Sequence, residues 1–184
     1  MLSVCLPPPL LKDYLTAREY NLDLTQDYLP LNIFYEDVDY TDTAVQMEIQ
    51  DTDSTMVELT HVGGPIDSWL TSFMFWAEAE TEYSASIDTT GTYPVHTDPG
   101  SFYTALSAFQ ADVTNARFDG DVVFAEDGTI EISRSNMFLL DLGSADKSVK
   151  AINSVRDVVD NTDLSPEPFA YSNVFIFTEQ FLAM

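Results

Sequence analysis

Between two apolar runs, Val122-Val123-Phe124 and the long stretch from Thr129 to Leu142, the chain places Glu126-Asp127-Gly128. Asp-Gly between strand-like runs marks a hairpin, because the turn needs a positive φ that glycine adopts without steric cost. Ile130 and Ile132 alternate with Glu131 and Ser133, as a strand with one covered face requires. The alternation becomes irregular at Arg134, where a bulge is expected. The chain is therefore committed to an antiparallel sheet, and its other segments must be placed around that hairpin.

Downstream, Gly143 closes the strand and Ser144 caps a helix whose Val149, Ile152, Val155 and Val159 form an apolar stripe flanked by Lys147, Lys150 and Arg156. Pro166 and Pro168 mark a linker into a last run, Tyr171 to Phe177, apolar at successive positions. A strand covered on both faces loses its polar alternation, so this run is expected as an interior strand that includes Phe175. Upstream, Leu31-Asn32-Ile33-Phe34-Tyr35-Glu36 reads as the first strand, and Val45, Ile49, Met56 and Leu59 place a helix over residues 42–61. The order is β-α-(insert)-β-β-α-β. It predicts an α+β fold: a ferredoxin-like split β-α-β sandwich with a four-stranded antiparallel sheet and its two main helices on one face.

The helical insert spans 65–115. Gly63-Gly64-Pro65 punctuates its start and Asp67 is a natural N-cap. Trp69, Phe73 and Trp76 follow at i, i+4 and i+7, a wide aromatic stripe that either faces the core or forms the contact for a ligand or partner. Residues 84–100, rich in Thr, Ser, Pro, Gly and Asp, read as a loop. Ser101 then caps a helix with Phe102, Leu106, Phe109 and Val113 on its buried side. The insert helices are the expected cover for the second face of the sheet.

Acidity is the outlier of composition: 31 Asp and Glu against 7 Lys and Arg give a formal net charge of −24. Such a surface repels nucleic-acid phosphates and anionic headgroups, so nucleic acid is excluded as a partner. It suits a basic protein partner or weak calcium binding, for which the carboxylates at Asp37, Asp39 and Asp42 and at Asp119, Asp121, Glu126 and Asp127 are the densest sources. The 12 Phe, 9 Tyr and 2 Trp supply enough burial for an ordered domain. One cysteine, Cys5, precludes an internal disulfide, and with His61 and His96 it gives no zinc-ligand spacing.

No phosphate-binding glycine loop, nucleophile elbow or His-Glu metal motif occurs, so the chain is expected to be no enzyme and to need no cofactor. The first 21 residues read as a leader or linker ahead of a single domain over 22–182. Met1 to Leu11 is apolar, but Pro7-Pro8-Pro9 interrupts it where a spanning helix needs about 20 continuous apolar residues. The apolar end of the chain makes Phe177, Phe181 and Leu182 the expected membrane-proximal or docking contacts.

Leu22-Asp23-Leu24-Thr25 with Leu29-Pro30, Val38-Asp39-Tyr40-Thr41-Asp42, Ser68-Trp69-Leu70 with Phe73 and Trp76, Phe102-Tyr103, and the ending Pro168-Phe169-Ala170-Tyr171 to Glu179-Gln180-Phe181 carry a resemblance. They resemble the second large extracytosolic domain of Patched, Dispatched and Niemann-Pick C type permeases, of the resistance-nodulation-division superfamily. The resemblance implies a porter-like domain on the extracellular or lumenal side of a membrane, with a parent permease or membrane protein as partner and a sterol or other lipid as cargo. It carries over no ion-relay carboxylate, since those belong to membrane helices. The alternative is a soluble structural subunit that docks onto a larger membrane protein assembly.

Overall fold

A computed structural model describes residues 29–182, apart from the side chains of residues 64–66, 177 and 179–182. The leader and Leu22-Asp23-Leu24-Thr25 lie outside the described residues. The elements run β1 (Leu29–Glu36), α1 (Thr43–Val57), β2 (Val62–Ser68), α2 (Trp69–Ala79), β3 (Ile87–Asp88), β4 (Val95–His96), α3 (Pro99–Ala111), β5 (Val122–Phe124), β6 (Ile130–Leu139), α4 (Ala145–Asp160), β7 (Phe169–Tyr171) and α5 (Asn173–Leu182). The fold is mixed α and β, with an antiparallel main sheet ordered β2-β6-β1-β7 and β5 also paired to β6. A separate two-stranded ladder joins β3 and β4 within the segment expected as a loop.

The hairpin forms where Asp127-Gly128 places it. Gly128 adopts φ +87°, its N–H donates to Ala125 O at 3.0 Å, and the Ala125 N–H donates to Thr129 O at 2.9 Å. This is a type I turn followed by a left-handed residue, which suits glycine. β6 then takes β1 along one edge, from Leu29 opposite Leu139 to Glu36 opposite Ile132, while β5 and β2 share its other edge end to end. The expected bulge is displaced from Arg134, which stays in regular register opposite Phe34. The irregularity falls at Glu131, skipped between the pairs Val123–Ile132 and Phe124–Ile130.

Three expectations are corrected. Gly63-Gly64-Pro65 is part of strand β2, with Val62 opposite Leu139 and Ser68 opposite Ser135, so the insert begins after residue 68. Gly and Pro are tolerated on an edge strand, where the missing donor faces outward. A Cβ on Gly63 would lie 2.7 Å from Leu140 Cδ1, so glycine is what allows the close approach. With Asp67 inside the strand, Ser68 takes the N-cap position of α2.

The run from Tyr171 to Phe177 is not an interior strand. Only Phe169–Tyr171 pairs with β1, and α5 starts at Asn173. Ser172, Phe175 and Thr178 are buried while Ile176 is exposed, a spacing of three that belongs to a helix; Thr178 Oγ1 donates to Val174 O at 3.0 Å. Aromatic and β-branched composition marks a surface that packs well, and a short apolar run does not separate strand from buried helix by periodicity.

The insert does not cover the second sheet face. Leu31, Ile33 and Tyr35 of β1 and Ser133, Ser135, Met137 and Leu139 of β6 point to one side, and α1 and α4 pack there against each other. Trp69 of α2 joins that same core, tilted against Tyr40 at 5.2 Å, and the Tyr40 hydroxyl is hydrogen-bonded to Ser133 Oγ. Capping sets the helix starts: Asp42 accepts from Ala44 N at 2.8 Å and Asp98 from Gly100 N at 3.1 Å. Asp98 takes the role expected of Ser101, so Val113 falls past the end of α3 and is 87% exposed.

Phe73 is fully buried and meets Phe102 and Phe109 edge-on at 5.4 and 5.6 Å. Phe73→Ala is therefore expected to cost about 3–5 kcal/mol, and Val113→Ala no more than about 0.5 kcal/mol. Urea unfolding of the two variants measures both.

Candidate functional site

Residues directly opposite in an antiparallel pair share a face. The pairs Phe34–Phe169, Asn32–Tyr171, Phe34–Arg134, Asn32–Asn136 and Pro30–Phe138 therefore define the sheet face turned away from α1 and α4. That face has two halves. Toward β5 and β2 it is polar and satisfied: Asp121 is buried, accepts from Arg134 Nε at 2.7 Å and from Asn136 Nδ2 at 2.9 Å, and Arg117 pairs with Asp67 at 3.6 Å.

Toward β7 the face is aromatic. Phe34 stacks on Phe169 with centroids 5.0 Å apart and planes 15° from parallel. Phe169 remains 44% exposed and Tyr171 41% exposed, and the Tyr171 hydroxyl donates to Asn173 Oδ1 at 2.9 Å. Stacked aromatics bring large apolar area at low entropy cost, and a contiguous exposed patch of them marks an interaction surface.

The aromatic stripe singled out in the sequence lies elsewhere. Trp69 and Phe73 are interior, and Trp69 contacts Tyr40 and Phe73 at 5.2 and 6.5 Å. Trp76 is half-buried, with Nε1 donating to Asp112 Oδ2 at 3.2 Å and its ring 5.6 Å from Tyr83. A ligand touching Trp69 or Phe73 would have to displace core side chains. The backbone of Phe177, Phe181 and Leu182 belongs to α5, and their side chains lie outside the described residues.

Two clefts are anionic. One of about 400 Å³ runs between α1 and α4 and is lined by Glu48, Asp51, Asp157 and neighbouring hydroxyl side chains. Another of about 570 Å³ lies beside it around Asp42, Met47, Tyr93 and Asp163. Carboxylate-lined walls suit water and cations and are costly to dehydrate beneath a sterol. Many acidic oxygens already serve local turns: Asp39 Oδ1 accepts from Thr41 N at 2.9 Å, and Asp127 Oδ1 from Thr129 N at 3.0 Å. Hydrogen bonds from the Thr129 hydroxyl and amide hold the Asp127 carboxyl below its ordinary range. Among the described residues, no group of three or more His, Cys, Asp or Glu side chains converges to hold a metal. Of the basic residues on α4, Lys147 is paired with Asp141 at 2.5 Å.

His96 is fully buried, stacked on Phe73 at 6.1 Å and edge-on to Phe102 at 5.5 Å. Neither ring nitrogen meets a hydrogen-bond partner among the described residues. Burial pushes the imidazole down from its usual 6.5, with the nearby Asp98 carboxylate opposing. The neutral ring is thus the folded form: its contribution to stability is complete above the unfolded value and is lost as pH falls through the folded one. His96→Leu is expected to gain on the wild type below about pH 6.5, by up to about 1.4 kcal/mol per pH unit. Chemical unfolding of both proteins across that range checks the sign.

Among the described residues, no helix is long and apolar enough to cross a membrane. Comparison of the sequence with models of known protein families and with curated proteins found no match.

Proposed function

We propose that this chain is a non-catalytic extracytosolic domain of a membrane assembly, and that it binds a partner domain through the aromatic half of its open sheet face. One observation carries the reading: Phe34 stacked on Phe169, with Tyr171 beside them, on a face left uncovered among the described residues. Its fold is the ferredoxin-like split β-α-β layout, similar to the porter domain of Patched, Dispatched and Niemann-Pick C type permeases. In support, β1, β2, β6 and β7 lie in the order β2-β6-β1-β7, all antiparallel, with α1 following β1 and α4 following β6.

Partner binding is favoured over lipid passage. The tryptophan stripe that would contact a lipid is largely interior, and the two larger clefts carry carboxylates. At a net charge of −24, the partner surface is apolar at its centre and rimmed by Lys or Arg, since charge complementarity sets which surfaces meet productively. A photo-cross-linking residue at position 171 of the full chain in its native membrane tests this. The expected product is an adduct with a membrane protein that disappears when Phe169→Asp is added. Adducts with lipid alone would instead favour a lipid site, and an adduct insensitive to Phe169→Asp would place the docking surface elsewhere.

A further inference from the structure

Asp53 stands on the inward side of α1, 1% exposed, where three strands meet. Tyr35 of β1 donates to its Oδ1 at 3.1 Å, and Ser135 of β6 donates to its Oδ2 at 2.7 Å. Ser68, the last residue of β2, sits beside the same carboxyl. Its hydroxyl is buried with no hydrogen-bond partner among the described residues. Ser68 also holds the N-cap position of α2 yet makes no capping bond with its side chain, although a capping serine is worth about 1 kcal/mol.

Both protonation states of Asp53 find hydrogen-bond partners here, so the cost of burying its charge is what separates them. An ionised carboxylate only accepts, and it takes the Tyr35 and Ser135 hydroxyls. A protonated carboxyl keeps both acceptances and carries no charge, while Ser68 Oγ, beside it, can donate to the ionised form or accept from the protonated one.

Among the described residues, no cation offsets the buried charge. The ionisable groups coupled to Asp53 are Tyr35 and Tyr40, both pushed up by burial and neutral. β6 and β2 bring the hydroxyls of Ser133, Ser135 and Ser68, and β4 brings His96, which burial holds toward its neutral form. α2 and α4, also packed against α1, add no charged group acting on Asp53. Burial pushes the Asp53 carboxyl from 3.8 up to about 6, the hydroxyls pulling back by less.

We propose that Asp53 is a proton-operated clasp joining α1 to β1, β2 and β6 and, through Ser68, to the start of α2. Protonated, it closes the junction; ionised, it weakens it. The sign follows from linkage. Because the folded state holds the proton more tightly, the contribution is complete below the unfolded value and is lost as pH rises toward about 6.

Asp53→Asn keeps an acceptor for the hydroxyls and a donor for Ser68, so it imitates the closed state. Relative to the wild type, its folding equilibrium is expected to improve on the order of 100-fold between about pH 4 and about pH 7. A ratio independent of pH would overturn the clasp. A second measurement needs no variant: the Asp53 side-chain carboxyl carbon, followed by NMR in the wild type, is expected to titrate near 6, and a midpoint near 3.8 would overturn it. Amide exchange in α1 and the first turn of α2, corrected for intrinsic rates, is expected to accelerate across the same midpoint. Unchanged exchange would reduce Asp53 to a buried acid with no mechanical role.

Discussion

Strand β6 is the member on which the rest depends. Its ten residues accept β1 along one edge and both β5 and β2 along the other, so each of those segments is placed by hydrogen bonds to one ribbon. Alternation along β6 then fixes which side is interior. Ser133, Ser135, Met137 and Leu139 face the helices, and two of these are serines that anchor Tyr40 and Asp53. A slip of one residue would turn this set outward and leave both buried partners unsatisfied, which specifies the register strongly.

From that ribbon outward the molecule is asymmetric. The helical layer and the insert gather on one side, where Trp69, Phe73, Phe102 and Phe109 continue the core beyond the sheet. The opposite face keeps a polar half closed by Arg134, Asn136 and Asp121 and an aromatic half built on Phe34 and Phe169. Net charge is concentrated in carboxylates while the aromatic half is apolar, so partner choice divides between charge at long range and shape at contact.

The parts of the fold legible in the sequence were those with local rules. Asp127-Gly128 placed a hairpin through its φ requirement, and Ser144 with the stripe through Ile152, Val155 and Val159 placed α4 through capping and periodicity. Non-local packing decided the rest. β2 contains Gly63, Gly64 and Pro65 and is a strand only because β6 supplies its partner. The run after Tyr171 has strand-like composition but helical burial, set by its packing against α4 and β1. The candidate face was half-readable: Phe34 falls between Asn32 and Glu36 on the side of β1 opposite Leu31, Ile33 and Tyr35, an aromatic out of phase with its strand. Its partner Phe169 was hidden in a proline-flanked linker, where no periodicity operates.

The central claim is a sheet whose stacked aromatic half leaves Phe169 and Tyr171 exposed, with Trp69 and Phe73 interior. Hydroxyl-radical footprinting of the full chain in solution reads this side chain by side chain. The account predicts rapid oxidation at Phe169 and Tyr171 together with protection of Trp69 and Phe73. Oxidation of Trp69 as fast as Tyr171, or protection of Phe169 in the isolated chain, would contradict it.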